Sequence, residues 1–117
     1  MRNATMMYLR PGNLFKDFII QQSQQDLSDA GRPVVKYSDS GELLSGCLAE
    51  ASDEDRSNHS VQDHVVTHTI VQQGRPKAKR PDRLVFGERV FYIVDIDDMG
   101  SLGVSTIYYA EERMDVK

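Results

Sequence analysis

The sequence has one cysteine, no tryptophan, four prolines and no long apolar run. A single thiol, Cys47, cannot form an intrachain disulfide. A reducing compartment is therefore expected, or a fold that does not depend on oxidation. No apolar stretch approaches the ~20 residues that a membrane span needs. Met6-Met7-Tyr8-Leu9 is too short for the apolar region of a secretory signal. A glycine-rich phosphate loop, a hydrolase-type serine motif and a scaffolded pair of carboxylates are all missing. The expectation is a non-enzymatic protein without a cofactor.

The chain has 117 residues, of which 39% are hydrophobic, and its mean hydropathy is −0.49. That is enough for one domain, with part of it in loops or ordered only against a partner. The formal charge of −4 argues against a general DNA-binding or membrane-binding protein. The charge is unevenly spread. Arg75, Lys77, Lys79, Arg80 and Arg83 face a single acid, Asp82, whereas Glu88, Asp95, Asp97, Asp98, Glu111, Glu112 and Asp115 dominate the C-terminal stretch.

Turn and strand signals divide the chain into an arm over 1–13 and one β domain over 14–117. Pro11-Gly12-Asn13 ends the arm. Phe15 to Gln22 reads as a strand around Phe18-Ile19-Ile20, with Gln21 to Gln25 extending it outward. Asp26 to Pro33 reads as a loop, Val34 to Tyr37 as a short strand and Ser38 to Gly41 as a turn. Leu43 to Ala51 suits a buried strand around Cys47, Leu48 and Ala49. Residues 52–61 form an acidic stretch, read as a loop or one helical turn, in which Ser52 and Asp55 could make a capping box. Val65 to Gln72 is rich in β-branched residues and reads as a strand. A basic loop over 74–83 follows. Arg83 to Phe86, Gly87-Glu88 and Arg89 to Ile96 spell a hairpin, and Val104 to Glu111 a last strand. The expected fold is mainly β: a small antiparallel barrel or sandwich with long loops and at most one short helix.

Four features could carry chemistry. Asp95-Ile96-Asp97-Asp98-Met99-Gly100 superficially matches a calcium loop, but the fifth and twelfth positions are Met99 and Thr106, which cannot serve as the required ligands. An acidic turn is the expectation. His59, His64 and His68 lie near Asp63, and on one strand His64 and His68 would share a face with Val66 and Ile70. Too few further ligands accompany them for zinc, so no metal site is expected. Cys47 lacks the neighbours of an activated thiolate. The basic loop is left, with Arg75, Lys77, Lys79, Arg80 and Arg83 as candidate contact residues. It reads equally as a solvated turn and as a phosphate-contacting or partner-contacting loop. It contains no aromatic residue, which disfavours base stacking.

The order of elements in the C-terminal half carries a family resemblance. His68-Thr69-Ile70-Val71 is followed by a loop, then by Arg80-Pro81-Asp82-Arg83-Leu84-Val85-Phe86-Gly87-Glu88-Arg89-Val90-Phe91-Tyr92-Ile93-Val94-Asp95-Ile96, a glycine-containing turn and Val104 to Glu112. This resembles the closing part of head-closure (head–tail adaptor) proteins of tailed bacteriophages, in which an aspartate-led apolar hairpin precedes a variable turn and a last strand. Asp82, Leu84, Phe86, Gly87, Phe91, Tyr92 and Ile93 fill that pattern. It covers residues 62–113 well and 14–50 weakly. The acidic 52–60 stretch and the missing tryptophan depart from it.

The resemblance implies a compact barrel in a homo-oligomeric ring, sixfold or twelvefold, in the virion neck. Such a ring closes the DNA-filled head beneath the portal and offers a docking surface to tail proteins. Its partners are portal or adaptor proteins, tail proteins and packaged DNA in the channel, with no membrane involved. The candidate basic residues would then face the channel or a neighbouring subunit. Alternatives are a tail terminator or other tail-completion protein and, in a different class, a small β-barrel nucleic-acid-binding module.

Overall fold

The computed structural model describes residues 15–61, 64–99 and 102–114. The arm expected over 1–13 falls outside them. The chain order is β1 (Phe15–Leu27), β2 (Pro33–Glu50), α1 (Asp53–His59), β3 (His68–Gln73), β4 (Arg83–Phe86), β5 (Arg89–Asp97) and β6 (Ser105–Arg113). The strands close into an antiparallel barrel in the order β1-β2-β3-β6-β5-β4. This is the mainly β fold with one short helix that the sequence implies.

Period-two alternation builds the interior. Phe18, Ile20, Leu44, Ile70, Leu84, Phe91, Ile93, Tyr108 and Ala110 point inward and form the main core cluster with Ala78. Phe18 meets Phe91 edge-on at 5.9 Å between ring centroids. Between Ile93 and Asp95 the β5–β6 register shifts by one residue. The bulge lets Val94 leave the interior and pack with Ala51, Val66 and Tyr109 in a second cluster. Gly46 is buried between β2 and β3, and a Cβ there would lie 2.6 Å from Cγ2 of Ile70. Crowding by the Ile70 and Leu44 side chains, not merely a break in helix propensity, explains that glycine.

The hairpin Arg83–Phe86/Arg89–Asp97 turns at Gly87-Glu88 as read from the sequence, and Gly87 has φ +61°. The N-terminal half differs from expectation. The loop over Asp26–Pro33 shrinks to residues 28–32, because Leu27 still pairs with Pro33. The turn at Ser38–Gly41 is absent. Its residues sit inside one continuous 18-residue strand. The register steps between Ile19↔Leu43 and Gln21↔Asp39, and Gly41 at φ +85° accommodates the extra residues as a bulge. Pairing with β1 thus overrides a local turn signal.

Other corrections have equally local causes. The acidic 52–61 stretch takes the helical option, as a seven-residue helix longer than the single turn expected. Ser52 and Asp55 make the reciprocal capping box, and three acids in its first turn complement the helix dipole. Cys47 and Leu48 are half-buried and Ala49 is exposed, so this part of β2 is only partly covered. β3 begins at His68 rather than Val65. His64 lies in an isolated bridge with Val61, so His64 and His68 do not share one strand face. Among the described residues no helix is long and apolar enough to cross a membrane.

β4 closes the barrel against β1 over only Ile19↔Val85, Ile20↔Leu84 and Gln21↔Arg83. Beyond Gln21, β1 pairs with β2 alone, out to Leu27↔Pro33. That leaves a two-stranded ribbon ~20 Å long, at ~3.3 Å per residue, standing off the barrel.

Candidate interaction site

The basic loop links β3 to β4 across one end of the barrel, and buried groups hold its backbone. Gln72 is 3% exposed. Its amide Nε2 donates to the carbonyl of Arg75, and its Oε1 accepts from the Tyr108 hydroxyl at 2.5 Å. The same hydroxyl accepts from the backbone N–H groups of Lys77 and Ala78 at 3.0 and 3.3 Å. Thr106 Oγ1 donates to the carbonyl of Gly74 at 2.9 Å. Ala78 fills the end of the core. Burial raises the Tyr108 hydroxyl above its ordinary pKa, with the two donated N–H groups working against the rise. It therefore stays a neutral donor and acceptor.

A tight turn closes the loop. The Lys79 N–H donates to Asp82 Oδ2 at 3.1 Å, and the Asp82 N–H donates to the Lys79 carbonyl at 2.8 Å. Asp82 is 3% exposed, and its Oδ1 has no hydrogen-bond partner among the described residues.

This scaffold separates the five candidate cations. Lys77, Lys79 and Arg80 project into solvent from the loop. Arg75 is also exposed but lies against the β5–β6 turn, its Nε 3.3 Å from where a Cβ on Gly103 would stand. Arg83 is half-buried at the root of the ribbon. It donates through Nε to Gln21 Oε1 at 2.6 Å and through Nη1 to the Tyr92 hydroxyl at 3.0 Å. Its guanidinium lies 4.1 Å from the Tyr37 ring centroid, and Tyr37 meets Tyr92 edge-on at 5.7 Å. Burial, and secondarily Tyr92, raise the Tyr37 pKa, while Arg83 opposes the rise. The loop itself has no aromatic residue, yet Arg83 packs over Tyr37 and beside Tyr92, which distant strands bring in.

Beside this root lies a groove of about 480 Å³, lined by Tyr37, Val61, Arg80, Asp82, Tyr92 and Val94, among others. It was not legible in the sequence, because its walls come from segments far apart in the chain.

The three histidines do not converge on one another; each meets an acid instead. His59 Nδ1 is 2.8 Å from Asp95 Oδ2, and its ring stacks on Tyr109 at 3.6 Å. His64 Nδ1 is 3.1 Å from Glu111 Oε1. His68 Nε2 is 3.9 Å from Glu112, which also takes a two-pronged contact from Arg89. These pairs fasten α1 and the 64–68 segment to β5 and β6. Among the described residues no group of three or more metal-ligating side chains converges. Asp95 is committed to His59, and Asp97 Oδ1 accepts the Met99 N–H at 2.9 Å.

No protein-family model and no curated protein sequence matches the chain. Solved structures do share its fold. A chain in the virion of a native gene transfer agent particle superposes with a TM-score of 0.58 at 19% identity, covering 84% of this chain and 94% of that one. The solution structure of protein SF1141 from Shigella flexneri 2a superposes with a TM-score of 0.63 at 17% identity, covering 92% and 100%. At such identities the likeness is one of fold.

Proposed function

We propose that the protein is a structural subunit of a phage-type virion neck, closing the filled head beneath the portal and presenting a docking surface to the tail. The observation that carries this reading is the agreement of nearly the whole barrel with a chain of the gene transfer agent virion. The head-closure pattern of residues 82–93 supports it independently, because those residues form the hairpin and core positions that the resemblance implies. A ring built by head-to-tail contacts would use the uneven charge of the chain. In it Lys77, Lys79 and Arg80 contact channel DNA or an adjacent subunit, with Arg75 beside them. Arg83 serves as the anchor that positions the loop.

The test is co-elution of the purified protein with its cognate portal ring. Joint elution, retained when Lys77, Lys79 and Arg80 are reversed to Glu but accompanied by loss of DNA retention in assembled heads, fits channel-facing cations. Loss of co-elution in that variant fits a subunit contact. Charge reversal that changes neither assembly nor DNA retention rejects the role given to the loop. Salt-sensitive binding to free DNA without portal binding rejects the neck reading in favour of a nucleic-acid module.

A further inference from the structure

The ribbon that stands off the barrel is open along both edges. Among the described residues, β1 over 22–27 has β2 on one side and no strand on the other. Over 33–38, β2 pairs with β1 alone, because its ladder with β3 begins at Gly46. A two-stranded ribbon is marginal on its own. Each open edge is also a ready place for a further strand to pair.

The phase of the ladder shows which groups the edges offer. The Ser28 N–H donates across the ribbon to the Arg32 carbonyl. Antiparallel pairs alternate between hydrogen-bonded and non-hydrogen-bonded. Ser23, Gln25 and Leu27 therefore turn their backbone N–H and C=O groups to the open side of β1. Val35 and Tyr37 turn theirs to the open side of β2. The Leu27 N–H is met there by Asp26 Oδ1 of its own chain at 2.8 Å. Neither stretch contains a register shift, and Pro33 stands only at the start of β2. The backbone is thus free to extend the ladder on both sides.

The side chains single out the partner. Asp26 is the one charged residue over 22–27 and Lys36 the one over 33–38, and both are exposed. Alternation puts them on one face of the ribbon. Leu27 and Val35, 64% and 56% exposed, lie on the other. Pairing β1 with β1, or β2 with β2, would set like charges along the seam. Pairing β1 of one copy with β2 of the next sets Asp26 opposite Lys36, and the same register sets Leu27 opposite Val35. That register is offset by two residues from the intrachain ladder, in which Leu27 faces Pro33. An even offset keeps every side chain on its own face. The directions also agree. Each ribbon holds one strand of each sense, so ribbons repeated side by side stay antiparallel throughout.

We infer that the ribbons of successive copies pair edge to edge, residues 24–27 of one copy against 35–38 of the next, with Asp26 opposite Lys36 and Leu27 opposite Val35. The outward N–H and C=O groups of Leu27 and Gln25 then meet those of Val35 and Tyr37. The two edges are different surfaces, so the contact is head-to-tail and repeats from copy to copy around a ring. One face of the joined ribbons carries Asp26 and Lys36 in alternation, the other Leu27 and Val35. The inference deepens the neck reading and rests on it for its setting, but it can fail separately.

The experiment is disulfide cross-linking between full-length chains that carry one cysteine each. Gln24→Cys and Ser38→Cys, both at exposed positions, are made separately in a Cys47→Ser chain. Across the inferred seam they form a non-hydrogen-bonded pair, where side chains come closest. The two chains are mixed under mild oxidation, free at millimolar concentration and again with the cognate portal. The expected result is a reducible dimer in the mixture, above the yield of either chain alone and of a Glu88→Cys control mixed with either. Lys36→Asp in the Ser38→Cys chain should abolish that gain, and Asp26→Lys in the Gln24→Cys chain should restore it. Unshifted core methyl spectra check that each variant keeps the barrel. An equal yield from Gln24→Cys alone or Ser38→Cys alone means that like edges pair, and overturns the inference. A mixture that stays at the control level in both settings overturns it too. Portal binding without the cross-link rejects the contact and keeps the neck. The cross-link without portal binding rejects the neck and keeps the contact.

Discussion

The guanidinium of Arg83 lies 4.1 Å from the centroid of the Tyr37 ring, and its Nη1 donates to the Tyr92 hydroxyl at 3.0 Å. A residue of the basic loop's C-terminal end thereby ties the root of the ribbon to β5. Arg83→Ala should lower stability by about 1–2 kcal/mol, through lost cation–π and stem packing. Arg83→Lys should recover only part of this, because an ammonium cannot make the two forked hydrogen bonds. Urea unfolding measures both. A loss no larger than for Lys79→Ala would mean that Arg83 is not an anchor.

Tyr108 holds the loop from below. Tyr108→Phe keeps the ring in the core but leaves the Ala78 N–H without its acceptor and the Lys77 N–H and Gln72 Oε1 with only their mutual 3.4 Å contact. The expected cost is about 1–3 kcal/mol. Amide exchange at Lys77 and Ala78 should accelerate more than at Ile70, whose N–H lies within the β3 ladder. Equal acceleration at all three would show that the hydroxyl has no special hold on the loop.

Gly46→Ala brings a methyl to 2.6 Å from Ile70 Cγ2 and 3.0 Å from Leu44 Cδ2. Both neighbours are fully buried, so neither can swing away. Overpacking of this kind costs about 1–3 kcal/mol. Thermal unfolding should show it, whereas Gly31→Ala, at an open tip with positive φ, should show backbone strain without a core clash.

Much of the barrel was legible because its inward residues alternate along each strand except at the bulges. Leu84, Phe91, Ile93, Thr106 and Tyr108 could be placed on strands from their spacing alone. The N-terminal half was harder for a physical reason. Ser38-Asp39-Ser40-Gly41 has the composition of a turn, and only the long-range pairing with β1 converts it into a bulge. Likewise, nothing local distinguishes His59, His64 and His68 from surface histidines, since their acidic partners lie on strands 36 to 47 residues away. The cations of the basic loop could be named, but their division into the solvent-facing Lys77, Lys79 and Arg80 and the anchored Arg83 needs Tyr37 and Tyr92, which come from other strands.

Acid should destabilise the fold in two stages. Burial depresses the His68 pKa below its ordinary 6.5. Folding thus favours the neutral ring, and between the depressed value and 6.5 the unfolded chain binds more protons. This contribution is fully present above pH 6.5 and is lost as pH falls through the folded-state value. The Arg89 contact holds Glu112 below its ordinary 4.5, so its contribution is lost at lower pH, as that carboxylate protonates. Unfolding free energy measured against pH should fall first below 6.5 and again below 4.5. His68→Gln should remove the first fall and leave the second. A profile rising toward acid would contradict both assignments.

The central claim is a place in the virion neck, and a cryo-EM reconstruction of filled particles tests it most directly. The account predicts a ring of these barrels directly beneath the portal, with the Lys77–Arg80 segment at the channel wall or at the next subunit. The barrel at the distal face of the tail, or absent from particles that retain their DNA, would contradict it.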